Sequence, residues 1–282
     1  MNLQKIQSIT RFVKIEHTLF SLPLIFSGVF IASKNPPTLQ LIILILLGAT
    51  GARTAALALN RIIDREIDKR NPRTVIRELP SGRMSLGDAV VVLLIGLAVY
   101  FVCASFISTF CLMLSPIPLV IFTFYPYMKR FTSLAHFGVG LGLSMAPLGG
   151  WFAVKNSLVN MTPGLLLAVF TLCWVTGFDI IYSTLDEAFD RGENLHSFSS
   201  RFGKIKALRI SAILHLAAFV ILTILFFLQI RALAALPFLL VSGYLLYLEQ
   251  KKSNDVEMAF FKINAILGFA VLAMVLVGVY FP

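Results

Sequence analysis

The sequence predicts an all-α, polytopic membrane protein with nine transmembrane helices, and three observations carry that expectation. The first is composition: 58% of the 282 residues are hydrophobic and 13% charged, more apolar surface than a water-soluble domain can hide. The second is the apolar runs at 17–33, 39–60, 87–107, 110–127, 135–153, 163–184, 208–228, 232–248 and 259–280. Each approaches the roughly 20 residues that a helix needs to cross about 30 Å of hydrocarbon. They are too long and continuous for strands of a closed barrel, the other structure that satisfies its backbone in lipid. The third is charge asymmetry. With the N-terminus in the cytoplasm, every Asp and Glu falls on the cytoplasmic side, as does every Lys and Arg except Lys34, Arg53, Lys155 and Arg231. That is the pattern of the positive-inside rule, and the net charge of +10 then forms a rim facing anionic lipid heads and an anionic substrate.

In chain order, residues 1–16 read as an amphipathic lead-in lying in the membrane interface, with Ile6, Ile9, Phe12 and Val13 on one face and Lys5, Arg11 and Lys14 elsewhere. Because these cations precede a full-length run, the first span is expected to stay as a helix and not to be cleaved as a signal. Glu16, His17 and Thr18 open it, His17 reading as an interfacial hydrogen-bonding group in preference to a contact to a substrate at the membrane surface. Span 2 carries Arg53 inside its apolar run and ends in residues 60–68, Asn-Arg-Ile-Ile-Asp-Arg-Glu-Ile-Asp. An intramembrane Arg is costly unless it faces a polar cavity, so Arg53 marks a site for a carboxylate or phosphate, or pairs with a neighbouring helix. The following loop, 69–83, is broken by Pro72, Pro80 and Gly82 and presents Arg73 and Arg77 for anion capture. Spans 3 and 4 are tightly joined. Span 4 ends with Tyr125 and Lys129, one helical turn apart, a hydroxyl and an ammonium able to hydrogen-bond a diphosphate. In span 5, Gly138, Gly140, Gly142, Gly149 and Gly150 permit close helix packing or leave room for a guest. Span 6 delivers Asp179, Tyr182, Asp186 and Asp190, followed by Arg201, Phe202 and Gly203. In spans 7–9, His215 and Asn264 read as interhelical bonding groups, and 249–257 as a surface loop. Cys103, Cys111 and Cys173 sit in apolar runs without metal or redox spacing and read as packing residues.

The acidic sets at the ends of spans 2 and 6 organise the whole. On a continuous helix Asn60, Asp64 and Asp68 fall within roughly 80° of one face, and Asp179, Asp186 and Asp190 within about 40°. Carboxylates this close repel unless a cation sits among them, and an all-oxygen donor set suits Mg²⁺, which in turn recruits phosphates. Asp186 and Asp190 repeat the Asp64–Asp68 spacing 122 residues further on. We therefore expect one transmembrane domain over 1–282, built from a repeated four-helix unit plus a final helix, whose two acidic loops meet over one cavity. Solvated charge at helix ends is the plain alternative for either set alone. A cation-coupled transporter is a further reading, but it places charges near the midplane and on both sides. Nucleic acid is a poor partner because the basic residues lie in short loops between spans.

These motifs resemble the UbiA superfamily of intramembrane aromatic prenyltransferases. Asn60, Asp64 and Asp68 match its Asn-x-x-x-Asp-x-x-x-Asp motif. Asp179, Tyr182, Asp186 and Asp190 match Asp-x-x-Tyr-x-x-x-Asp-x-x-x-Asp, and Tyr125 with Lys129 matches its Tyr-x-x-x-Lys pair. The run 77–82 and the pair Phe202 and Gly203 also match, so the resemblance covers the chain from Lys14 onward. It implies a nine-helix bundle around a central cavity open to the lipid bilayer, in a membrane such as the bacterial cytoplasmic (inner) membrane. It also implies a Mg²⁺-dependent enzyme, with Asp64, Asp68, Asp186 and Asp190 as metal ligands for a polyprenyl diphosphate. Lys129, Arg73, Arg77 and Arg201 are then further clamps on the diphosphate. Arg53 holds an aromatic carboxylic acid acceptor, and a carboxylate of the second motif, Asp179 among them, takes the ring proton. The acceptor is 4-hydroxybenzoate or 1,4-dihydroxy-6-naphthoate, in ubiquinone or menaquinone synthesis; related members act on haem or a lipid phosphate. Arg61, His196 with Ser197, and the run 71–74, Asn-Pro-Arg-Thr, depart from the hydroxybenzoate pattern.

Overall fold

A computed structural model describes residues 10–12, 18–33, 35–256 and 262–281. His17 and most of the proposed interfacial lead-in lie outside these residues. The principal helices are α1 (Thr18–Ala32), α2 (Leu39–Arg70), α3 (Leu86–Ile107), α4 (Thr109–Leu114), α5 (Pro116–Met128) and α6 (Ala135–Lys155), then α7 (Thr162–Ser183), α8 (Glu187–Gly192), α9 (Phe198–Phe202), α10 (Lys204–Leu225), α11 (Leu236–Lys251) and α12 (Asn264–Tyr280). The all-α class is as the sequence predicts. Among the described residues, seven helical segments are long and apolar enough to cross a membrane. The nine expected spans are completed by the shorter apolar segments Ser21–Ala32 and Asn264–Tyr280, so the count of full-length spans is corrected to seven. At 1.5 Å per residue, the described lengths of α1 and α12, 15 and 17 residues, measure about 23–26 Å.

Two features of these spans matter for the site. The apolar run of span 2 ends at residue 60, but its helix continues to Arg70, as the shared face of Asn60, Asp64 and Asp68 requires. Thr38 caps α2, accepting from the Leu41 amide at 3.2 Å, and nothing interrupts the helix until Asn71, whose extended backbone (ψ 119°) is what a residue before proline prefers. The 32 residues of α2 measure about 48 Å. Its last turns, with Asn60, Asp64 and Asp68, therefore extend beyond the hydrocarbon. The fourth span is two pieces, α4 and α5, meeting at Ser115 and Pro116, where a missing amide proton interrupts the helical ladder.

α2 packs on α3, α7 is held between α6 and α10, and α1 lies against α6 and α12. The α1–α6 crossing is a close backbone approach: a Cβ on Gly28 would lie 2.0 Å from the Pro147 carbonyl oxygen, and one on Gly150 would lie 2.0 Å from that of Ile25. Leu24, Leu167, Trp174, Leu222, Leu267 and Met274 form a continuous buried core around α7. Within it the Trp174 indole donates to Asn264 Oδ1 at 2.7 Å, and Asn264 Nδ2 donates to Glu249 Oε1 at 2.9 Å. His215 Nε2 meets the Trp174 carbonyl at 3.2 Å. His215 and Asn264 are interhelical bonding groups, as expected. Glu249 corrects the surface-loop expectation: it lies inside α11 and is fully buried.

Candidate active site

The loop after α2 folds back and ties the two acidic motifs together. Arg73 forks onto Asp186, its Nε donating to Oδ1 at 2.9 Å and its Nη2 bonding Oδ2, while Nη1 donates to Tyr182 Oη at 2.6 Å. The guanidinium also lies over the Tyr182 ring, 4.8 Å from its centroid. Asn71 Nδ2 donates to the same Asp186 oxygen at 2.9 Å. One turn on, Arg77 Nη1 donates to both oxygens of Asp68, at 3.0 and 2.8 Å, and Thr74 Oγ1 donates to the Asp68 carbonyl at 3.1 Å. The far end of the loop is pinned by a buried ion pair, Arg61 Nη1 to Glu78 Oε2 at 2.9 Å, with Phe12 against the guanidinium at 5.2 Å.

The end of α5 reaches into the same place. Lys129 Nζ contacts Asp64 Oδ2 at 2.6 Å, and Asn60 Nδ2 donates to that oxygen at 3.2 Å. The Lys129 carbonyl accepts from the His196 amide at 2.7 Å, which joins α5 to the segment after α8. The second motif is not one strip. Its helix ends at Ser183, a turn holds Asp186, and Asp190 lies in α8. The single-face arrangement expected of Asp179, Asp186 and Asp190 is corrected accordingly. Amides of Thr184, Leu185 and Asp186 bond the carbonyls three residues back, the tighter winding that closes a helix end.

Charge follows this geometry. Burial pushes the Asp186 carboxyl up, but hydrogen bonds from Arg73 and Asn71 outweigh it, leaving Asp186 below the ordinary carboxylate range. Burial raises Asp190, which a hydrogen bond from Ser197 only partly offsets and the Asp186 charge reinforces. Burial works against the Arg73 charge, and Asp186 and Tyr182 overcome it, so Arg73 holds its proton more tightly than a free guanidinium.

Deeper in the bundle, Arg53, Tyr125 and Asp179 line one cavity of about 160 Å³ with Phe122, Gly142 and Phe178. Arg53, Ala56, Phe122, Gly142 and Leu143 also line a second, largely apolar cavity of about 570 Å³ that extends past Gly48 and Gly149 toward Leu158. Tyr125 and Lys129 thus serve different compartments, the cavity and the carboxylates. Arg201 stands apart from these pairs, exposed and 5.5 Å over the Phe202 ring.

The sequence pattern of the UbiA prenyltransferase family matches residues 21–266. The chain belongs to the UbiA prenyltransferase family. It is 27% identical over 177 residues to the 4-hydroxybenzoate octaprenyltransferase of Francisella tularensis subsp. mediasiatica, covering 63% of this chain and 62% of that protein. The match therefore spans under two thirds of that curated relative's length. The apo structure of a UbiA homolog from Aeropyrum pernix is 32% identical, with a TM-score of 0.86 over 93% of this chain and 98% of that one. A UbiA homolog from Archaeoglobus fulgidus, solved with GPP and Mg²⁺, shares the fold at 18% identity and a TM-score of 0.69, over 94% of this chain and 99% of that one.

The residues of this UbiA-family site fit Mg²⁺ in donor type, and one atom among them asks for a partner: Asp64 Oδ1 is buried without a hydrogen bond. Among the described residues no three His, Cys, Asp or Glu side chains converge as a metal cluster. Mg²⁺ is ordinarily held by one or two carboxylates and completed by phosphate and water, so the set suits an ion that arrives with a diphosphate. Three partners escaped the sequence reading: Asn71, Glu78 and His136, whose Nδ1 lies 2.7 Å from Asp179 Oδ2. Asn71 and Glu78 lie in a loop whose cations dominate its pattern, and nothing in that pattern pairs them with Asp186 or Arg61. His136 had a readable signal, an imidazole at the start of an apolar span at the level of both acidic motifs.

Proposed function

We propose that the chain transfers a polyprenyl group from a polyprenyl diphosphate to the ring of an aromatic acid, with 4-hydroxybenzoate as acceptor and Mg²⁺ as cofactor. The observation that carries this reading is the arrangement of the site. Paired acidic and basic side chains from both halves crowd one end of the bundle, directly beyond a cavity holding Arg53, Tyr125 and Asp179 that shares its wall with a long apolar one. The name of the Francisella relative agrees with it.

Bound Mg²⁺ would supply positive charge to the leaving diphosphate, held by Asp64 and Asp68 on one side and Asp186 and Asp190 on the other. Arg73, Arg77 and Lys129 now neutralise three of these carboxylates. With those carboxylates holding the ion, the same three cations would be available to the phosphate oxygens, where they stabilise charge as it develops. The donor C–O bond breaks with its electron pair leaving on the diphosphate, and the allylic carbon gains a bond from the acceptor ring. Arg53 holds the acceptor carboxylate, Tyr125 bounds the ring, and the proton displaced from the ring carbon passes to Asp179. The apolar cavity takes the prenyl tail toward the bilayer, which is why the reaction needs a membrane protein.

A second acceptor, 1,4-dihydroxy-6-naphthoate, is favoured by the run 71–74. In the structure, however, Asn71 and Arg73 attend Asp186, at the diphosphate end and not at the acceptor cavity. A transporter reading is weaker, since the charges are paired at one end. The test is to give the purified protein a polyprenyl diphosphate, MgCl₂ and each aromatic acid in turn, and to identify the product by mass. A prenylated 4-hydroxybenzoate is expected. A prenylated naphthoate alone would move the acceptor, and no product with any acid would overturn the reading.

A further inference from the structure

His136 stands at the start of α6, is buried, and touches two other elements. Its Nδ1 is 2.7 Å from Asp179 Oδ2 on α7, its Nε2 accepts from the Phe198 amide of α9 at 3.4 Å, and its ring packs on that of Phe198 at 5.7 Å between centroids. A backbone amide can only donate, so Nε2 must offer its lone pair and the ring proton lies on Nδ1, aimed at the carboxylate. Asp179 in turn keeps 21% of its side chain accessible and lines the cavity with Arg53 and Tyr125.

We infer that His136 is a positioning residue for the transfer: its Nδ1–H holds one oxygen of Asp179, which aims the other into the acceptor cavity. This rests on the proposed reading of Asp179 as the group that receives the ring proton. With Nε2 occupied by the Phe198 amide, His136 has no free nitrogen to pass a proton onward, so it orients the base and does not act as one. A carboxylate at the end of a helix, next to the turn that breaks the second motif, has free rotation about two side-chain bonds. A single short hydrogen bond from a buried ring removes that freedom. A misplacement of about 1 Å at the reacting centre costs on the order of a hundredfold in rate.

The two nitrogens separate this role from a structural one. In His136→Asn the amide nitrogen stands where Nδ1 stood and can still donate to Asp179; in His136→Gln the amide reaches the place of Nε2, at Phe198. The assay is prenyl transfer to 4-hydroxybenzoate, with kcat and the KM of each substrate measured for the wild type, both variants, Asp179→Asn and the double variant His136→Gln/Asp179→Asn. Unfolding temperature is recorded for each protein. We expect His136→Asn to keep kcat within about fivefold and His136→Gln to lose about a hundredfold, with donor KM unchanged in both. The double variant should be no slower than Asp179→Asn alone, because the imidazole acts only through that carboxylate. Equal kcat in the Asn and Gln variants, a better Gln than Asn, or additive losses in the double variant would each overturn the inference while leaving the prenyltransferase reading intact. A wild-type chain that transfers to no acceptor removes both.

Discussion

The two acidic motifs share a four-residue spacing of aspartates, and the fold treats them differently. The first is the end of one long helix: Asp64 and Asp68 lie a turn apart on α2, both nearly buried, and their cations come from α5 and the following loop. The second is a helix, a turn and a short helix, so Asp179 faces the inner cavity while Asp186 faces the loop. Like spacing in sequence has become a rigid rank on one side and a split set on the other. Under the proposed reaction a division of labour follows, with the continuous rank presenting two carboxylates to a metal and the broken one reaching both the diphosphate and the acceptor. The surroundings differ as well. α7, which carries the second motif, runs through the best-packed core, whereas α2, which carries the first, borders the apolar cavity.

Breaking each motif at its centre has the largest expected effect. Asp64→Ala and Asp186→Ala should each lower turnover by about a thousandfold or more, the scale of removing a preorganised electrostatic group or a metal ligand. They should differ in a second readout. Asp186→Ala frees Arg73 and Asn71 and should speed limited proteolysis within residues 71–85. Asp64→Ala leaves Asp68 with Arg77 and Arg61 with Glu78, and the loop should stay protected. Full activity in both variants would remove the acidic motifs from the chemistry.

The next effect is on stability, at the root of the same loop. Arg61 and Glu78 keep 6% and 7% of their side chains accessible. Removing one partner of a buried pair strands the other, at a cost of about 3–5 kcal/mol. Arg61→Ala should therefore lower the unfolding temperature of the detergent-purified protein more than any substitution of an exposed cation such as Arg65. An unshifted transition would mean that the pair is solvated in the membrane-bound protein.

Much of this was legible beforehand. The all-α class, the membrane-spanning character and the grouping of the aspartates with Arg73, Arg77 and Lys129 follow from hydropathy, charge and spacing. The break at Ser183 was not, because Thr184, Leu185 and Asp186 carry no proline or glycine, and helical periodicity assumes continuity it cannot test. The helix of α2 was legible past its apolar run, since Asn60, Asp64 and Asp68 share a face only if the winding continues to residue 68, and Pro72 marks where it stops. Pairings such as His136 with Asp179 are 43 residues apart in sequence and belong to tertiary packing alone. Charge signs placed the cations near the carboxylates, but only geometry assigns Lys129 to Asp64 and Arg73 to Asp186.

Arg73 and Arg77 sharpen the contrast at smaller scale. Arg73 grips Asp186 through two nitrogens and spends a third on Tyr182, a planar fork that lysine cannot copy. Arg77 meets both oxygens of Asp68 through Nη1 alone, close to the way an ammonium would. Arg73→Lys should raise the donor KM about tenfold or more, since hydrogen bonds to charged groups are worth roughly 1.5–3 kcal/mol. Arg77→Lys should change it by less than about threefold. Steady-state kinetics with varied prenyl diphosphate measure both, and equal effects would mean that the fork is unused once substrate binds.

The smallest effect separates the cavity from the core. Gly149 lines the apolar cavity, and a Cβ there meets nothing within 4 Å. At Gly177, in the core beside the second motif, a Cβ would sit 2.2 Å from the His215 ring. One substitution at the two sites therefore asks different questions. Gly177→Ala must displace His215 from the Trp174 carbonyl and should destabilise the fold, by about 1–3 kcal/mol for overpacking. Gly149→Leu should leave the unfolding temperature and the kcat with a short donor nearly unchanged, because its Cβ meets no neighbour and the position borders the cavity. If that space houses the prenyl tail, the same leucine should lower the preference for long donors over short ones by a few fold, measured in competition between two chain lengths in one reaction. An unchanged ratio, with the leucine variant fully folded, would send the tail out between helices by another route and leave the 570 Å³ cavity without a part in the transfer.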